Sequence, residues 1–293
     1  MTVSIPRPSP VRTRLRVLLL VVSLSPVIVA LTAVAEGQPR LDPRQAQPER
    51  PTVATHAYTV VPGFVEIESG VQGFGPSPGT TQIDTPSVVK IGLTSHLQLD
   101  LFVSASAIRQ AGGTAGGLAD AAVGLKWRLA SASPVLGDFA VQATLKLPTG
   151  SETEGTSTGT TDISLLAISS RSIGPLAIDL NAGLTSRSGD GSRAPTTATL
   201  WTVSAGFPIA GPAGWAVEVF GYPGTRGPAG APPVVGLLTG PTVALSRVLV
   251  LDAGIVTGIA GTQPTMWYVG VTWNIGQLAG RSSGARRLAD FGL

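Results

Sequence analysis

Asp120, Lys146 and Asp162 are the residues of this chain whose types and spacing most directly suggest chemistry. Each lies toward one end of a segment in which apolar and polar residues alternate. Side-by-side pairing of those segments would set one ammonium between two carboxylates. Asp100 and Lys126 would form a second set on neighbouring segments, away from that end. Charges in a narrow interior are costly unless paired or wetted, so these residues form either a rigidifying ladder of salt bridges or the lining of a path for a solute or ion. Other chemistries find less support. The chain has two histidines, His56 and His96, and no cysteine. A Ser-His-Asp hydrolase needs its base within hydrogen-bond reach of the nucleophile, whereas Ser95 and Ser104 flank a strand-like stretch whose neighbours face opposite ways. Gly73-x-Gly75 and the pairs Gly112-Gly113 and Gly116-Gly117 open no helix and read as loop glycines, not phosphate cradles. Glu152 and Glu154 read as a solvated loop. No enzyme activity, metal or cofactor is expected.

The elements that would position the charges are strands. In "HLQLDLFVSA", His96 to Ala105, Leu97, Leu99, Leu101 and Val103 share one parity, while Gln98, Asp100 and Ser104 take the other. Twelve such segments are predicted, at 62–71, 83–93, 97–105, 118–129, 138–147, 161–170, 176–184, 199–207, 215–222, 234–245, 248–257 and 265–275. Their connections alternate. Thr94 to His96, Arg171 to Pro175 and Ser246 to Arg247 are tight, and 130–137 and 208–214 are moderately short; "QGFGPSPGTTQ", "SAIRQAGGTAGG", "PTGSETEGTSTGT", "TSRSGDGSRAPTTA", "PGTRGPAGAPP" and "GIAGTQP" are longer. Short turns on one side and long loops on the other are the pattern of an outer-membrane barrel with both termini periplasmic. One parity is almost free of charge and would face lipid, leaving the polar parity for a lumen. Leu166, Ile168 and Leu238 fit this less well, because they fall on the inner parity.

The N-terminus reads as an export signal, favoured over an uncleaved membrane anchor by Pro26, Ser23 and Ser25 within its apolar run. Arg7, Arg12, Arg14 and Arg16 precede an apolar run from Val17 to Ala35, and Ala33-Val34-Ala35 supplies a cleavage pattern ahead of Glu36. Removing four arginines and no acid takes the formal +3 to about −1, so the basic character implies no nucleic-acid partner. Residues 36–57, rich in Pro, Gln and Arg, read as a disordered periplasmic lead-in. The barrel is expected over 58–275, and 276–293 form a tail.

"GLTSHLQLDLFV", "GGLADAAVGLKWRL", "LKLPTG", "TDISLLAISS" and the closing "DAGIVTGIAGTQPTMWYVGVTWNI" resemble the family called the MetA pathway of phenol degradation, over most of 58–275. The resemblance implies an outer-membrane transporter barrel linked to uptake of aromatic or other hydrophobic compounds, with no catalytic residues to carry over.

The reading is thus an all-β, transmembrane, antiparallel up-and-down barrel of about twelve strands. It would act as a passive channel or uptake protein for small, hydrophobic or aromatic molecules, with a plugged structural or adhesive barrel as the alternative. Its lumen-lining candidates are Glu66, Glu68, Lys90, Asp100, Asp120, Lys126, Arg128, Lys146, Asp162, Asp179, Asn181, Glu218 and Asp252. Its partners would be outer-membrane lipid, the barrel-assembly machinery and a small-molecule solute.

Overall fold

A computed structural model describes residues 42–74, 80–110 and 112–278. The proposed signal peptide, the lead-in up to residue 41, part of the first long loop and the tail from 279 lie outside the described residues. Twelve antiparallel strands form one closed meander: β1 (Phe64–Phe74), β2 (Thr81–Asp84 and Ser87–Gly92), β3 (Leu97–Val103 and Ala105–Gln110), β4 (Gly113–Leu118 and Ala121–Ser133), β5 (Gly137–Leu147), β6 (Asp162–Ile173), β7 (Leu176–Arg187), β8 (Thr197–Ala210), β9 (Ala213–Tyr222), β10 (Val234–Ser246), β11 (Leu249–Ala260) and β12 (Met266–Gln277). β12 pairs with β1 from Phe64↔Gln277 to Phe74↔Met266, which closes the wall and leaves no edge along that seam.

Alternation sorts the two faces. Leu125, Trp127, Leu145, Leu165, Leu180, Val203, Leu251, Val269 and Trp273 are exposed on the outside, while Glu66, Glu68, Lys90, Asp100, Lys126, Arg128 and Glu218 are buried inside. No helix among the described residues is long and apolar enough to cross a membrane; the chain crosses with strands. On the outer surface the indoles of Trp201 and Trp267 lie across cross-strand partners Gly221 and Gly73, where any Cβ would collide with the ring.

Two expectations need correction. The stretch "SAIRQAGGTAGG" is not an irregular loop: Ala105–Gln110 pairs with Gly113–Leu118, extending a hairpin beyond the wall. The glycines that suggested a loop instead permit close pairing, since a Cβ on Gly116 would strike the Ser106 carbonyl oxygen. β2, β3 and β4 are each interrupted, at 85–86, 104 and 119–120, along one line where this extension begins. The second correction is larger. From Asp42 onward the segment read as a periplasmic lead-in lies inside the barrel. Its composition gives it no secondary structure of its own, and the polar wall supplies the hydrogen bonds that its backbone needs.

Candidate functional site: the occupied lumen

Residues 42–62 form an arch in the lumen. At the short-turn end the Ala46 N–H donates to the Arg247 carbonyl (2.8 Å), and Asn274 Nδ2 donates to the Pro43 carbonyl (3.2 Å). The chain climbs beside β1, where the N–H groups of Gln47 and Glu49 donate to Glu66 (2.7 Å) and Glu68 (2.8 Å). It then crosses the lumen. Glu218 on β9 accepts from the N–H groups of both Val53 (2.6 Å) and Ala54 (2.7 Å). Asn181 on β7 grips Thr55 at two points, accepting from its N–H (2.8 Å) and donating to its carbonyl (2.9 Å). The descent is marked by Ala57 N–H to Ser170 Oγ (2.8 Å) and Val60 N–H to Gln98 Oε1 (2.7 Å), before the chain enters β1. These wall side chains read the arch through its main chain.

Charge adds a second set of contacts. Lys90 lies between Glu66 (2.6 Å) and Glu68 (2.5 Å) and also donates to the Gln47 carbonyl (2.7 Å). Lys126, fully buried on β4, pairs with Glu49 of the arch and donates to Thr55 Oγ1 (3.1 Å). Burial alone would raise the Glu49 carboxyl, but Lys126, Lys90 and His56 overcome it and hold the group well below the usual carboxylate range. Burial pushes the His56 imidazole down to about 4, against the attraction of Glu49 and with the help of Lys126 and Lys90, so the ring is neutral at neutral pH. Arg128 bonds Asp138 (2.5 Å) and lies over the Tyr58 ring. Asp100 accepts from Gln98 and Gln142 (2.7 Å each). Asp179 accepts from Ser170 (2.5 Å).

The inner-parity misfits also find partners here. Ile168 packs with Ala140 against Ala57 of the arch, with Leu166 beside them. Leu238 joins Phe220, Val256 and Tyr268, and Val53 of the arch packs on that cluster. Apolar residues on a lumen wall are explained once a segment rests on them.

Toward the long-loop end, a self-contained network takes over. Lys146 lies 2.8 Å from Asp120 and 3.4 Å from Asp162, and Arg187 donates to Asp162 (3.1 Å). These residues line an outer cavity of about 620 Å³ together with Pro195, Ala198, Tyr222, Pro232 and Val234. A second cavity, of about 550 Å³, opens at the short-turn end between the arch and strands β6 to β11. The crossing of the arch at Val53–Thr55 lies between them.

Twelve of the thirteen sequence candidates lie on strands at inner-parity positions, and Asp120 lies in the interruption of β4; Asp120, Lys146 and Asp162 are brought together, while Asp100 and Lys126 have separate partners. Sequence reasoning missed Glu49 and Arg50 of the arch, Ser170 on its wall, and Arg187, read as a loop residue; it placed Gln98 and Gln142 on the polar parity without naming them as candidates. His56 lies in the arch, its Nε2 3.3 Å from the Gln47 carbonyl. Among the described residues no cluster of His, Cys, Asp and Glu could hold a metal ion.

No family model matches the chain, and no curated protein matches it. Solved structures do. The COG4313 outer membrane channel from Pseudomonas putida F1 is 12% identical with a TM-score of 0.58, covering 74% of this chain and 97% of that one. The NanC porin (8% identity, TM-score 0.46, 71% and 98% covered) and the KdgM porin (9%, 0.45, 71% and 98%) are further matches. At 12% identity the likeness to the COG4313 channel shows the shared fold alone, a transmembrane β-barrel.

Proposed function

We propose that this protein is a passive outer-membrane channel for small, hydrophobic or aromatic molecules, closed in this conformation by its own residues 42–62. The observation that carries the reading is the pair of cavities, one toward each end of the lumen, with the crossing of an arch held through hydrogen bonds and ion pairs between them. Each neutral contact of this kind is worth about 0.5–1.5 kcal/mol net and each charged one about 1.5–3, while the wall keeps its own strand-to-strand pairing whether or not the arch is in place. The outer cavity's Pro195, Ala198, Tyr222, Pro232 and Val234 suit an apolar solute. The resemblance of Gly92 to Val103 and of Leu145 to Gly150 to the MetA pathway of phenol degradation family supports the same solute class. Export by the secretory route, cleavage near Glu36 and insertion by the barrel-assembly machinery into outer-membrane lipid complete the proposal.

The occupied lumen also favours a second reading, a structural or adhesive barrel that never opens. Liposome swelling separates them. Proteoliposomes of the refolded chain should admit small solutes slowly, and a Glu218→Gln chain should admit them several-fold faster. Impermeability of both would leave the plugged barrel.

A further inference from the structure

One inner-wall feature is unexplained by a channel that merely excludes water. Gly70 on β1 and Gly270 on β12 are direct cross-strand partners on the lumen face, so the wall there is bare backbone. Arg50 of the arch lies on that floor. A methyl group added at Gly70 would stand 2.5 Å from its Nη2 and 2.8 Å from its Cζ; one added at Gly270 would stand 2.5 Å from Nε and 3.0 Å from Cζ. Asp252, on β11 opposite Gly270, closes one side with a side chain that is 2% exposed. Glycines in a strand mark places where another group must approach the backbone closely, and here that group is a planar cation beside a carboxylate.

The occupant does not satisfy the site. Arg50 Nε stands 3.6 Å from Asp252 Oδ1, beyond hydrogen-bond distance, and both atoms are buried without a hydrogen-bond partner. The Tyr268 hydroxyl, on the same strand and face as Gly270, is also buried and unpartnered, lying against Gly240 and Gly254. Arg50 is tethered through an arch pinned elsewhere, which restrains its approach to the carboxylate in a way that a free ligand escapes.

We propose that Gly70, Gly270 and Asp252 form a binding site for the guanidinium group of a small solute, held in the closed state by the chain's own Arg50. A free guanidinium competes with Arg50, so the site couples solute binding to release of the arch. A guanidinium fits better than an ammonium because its plane covers both peptide faces of the floor while its edge donates to Asp252; a compact ammonium reaches the carboxylate alone.

Access to the site depends on the channel reading, so the test reads binding and not conductance. Ethylguanidinium chloride is titrated calorimetrically into the full chain in detergent, with ethylammonium chloride at equal ionic strength as control and the heat-modifiable gel shift as a check of folding. Arg50→Ala should bind one ethylguanidinium per chain, at least tenfold more tightly than the unaltered chain and than it binds ethylammonium. Adding Asp252→Asn or Gly270→Ala to Arg50→Ala should remove that binding. Should Arg50→Ala fail to fold, Arg50→Lys keeps a cation in the arch while baring the floor, and should show the same preference at reduced affinity. Binding by the Arg50 variant that is no tighter than in the unaltered chain, or that survives Asp252→Asn, overturns the site. A chain that binds ethylguanidinium as described yet passes no solute overturns the channel reading and leaves the site standing.

Discussion

The barrel holds two charged networks that differ in where their partners come from. At the outer mouth Lys146, Asp120, Asp162 and Arg187 all belong to the wall, and Lys146 and Arg187 keep about a fifth of their side-chain surface in contact with solvent. In mid-lumen Lys126 is fully buried, and its acid, Glu49, comes from a segment that is not part of the wall. The first network can hold its shape while the arch moves; the second cannot. In the proposed channel, a wall charge whose counter-ion is supplied by a separate segment acts as a latch, because opening would expose that charge.

The contrast is broken most severely at Glu49. Glu49→Ala leaves the Lys126 ammonium buried without its acid, a change that typically costs about 3–5 kcal/mol. Thermal denaturation in detergent should show a loss of that order, and solute flux should rise. Glu49→Ala combined with Lys126→Met should recover much of the stability while remaining permeable. The outer face supplies the next test. Leu180→Arg places a cation toward lipid at a cost of roughly 2–4 kcal/mol and should impair insertion in a detergent-shift assay. At its neighbour, Asn181→Ala should insert normally but loosen Thr55, which loses two hydrogen bonds worth about 1 kcal/mol each.

Acid should weaken the latch as well. His56 is neutral in the closed state, with a pKa of about 4, against about 6.5 when the arch is free. The released state therefore takes up a proton first. The His56 contribution to closure is fully present above about pH 6.5 and is lost progressively as the pH falls toward 4. A pH dependence of flux over that window that is unchanged by His56→Gln would contradict the burial of His56 among Glu49, Lys126, Lys90 and the Tyr58 ring.

The smallest stability effect belongs to the outer mouth. Lys146→Ala removes a partly solvated ion pair and should cost about 1 kcal/mol or less. It leaves Asp120 and Asp162 as near neighbours, so any current should shift its reversal potential toward cation selectivity. An unchanged reversal potential would place the solute path away from these residues.

The same contrast explains what could be read beforehand. The period-2 alternation of Leu97–Val103 or Leu176–Leu184 carries its own burial information, because lipid and lumen impose opposite demands on adjacent residues. Strand positions and the Asp120, Lys146, Asp162 cluster follow from that pattern and a strand count. The hairpin at 105–118 was hidden by its glycines, which signal turns and close pairing alike. The arch was hidden more deeply. Its Pro- and Gln-rich sequence has no period, and nothing local in Glu49 or Arg50 reveals that Lys126 and Asp252 are their partners. The available clue was indirect: Leu166, Ile168 and Leu238 violate the inner parity, and apolar residues facing a lumen imply something to pack against.

The central claim is that movement of residues 42–62 governs passage through the lumen. Ala57 of the arch and Ala140 of β5 belong to one packed cluster, and the chain has no cysteine, so Ala57→Cys with Ala140→Cys introduces a single candidate pair for oxidative cross-linking. Single-channel recording of this full-length variant tests the claim most directly. The account predicts no openings under oxidising conditions and openings restored by a reducing agent. Equal conductance in the two states, with the cross-link verified, would contradict it.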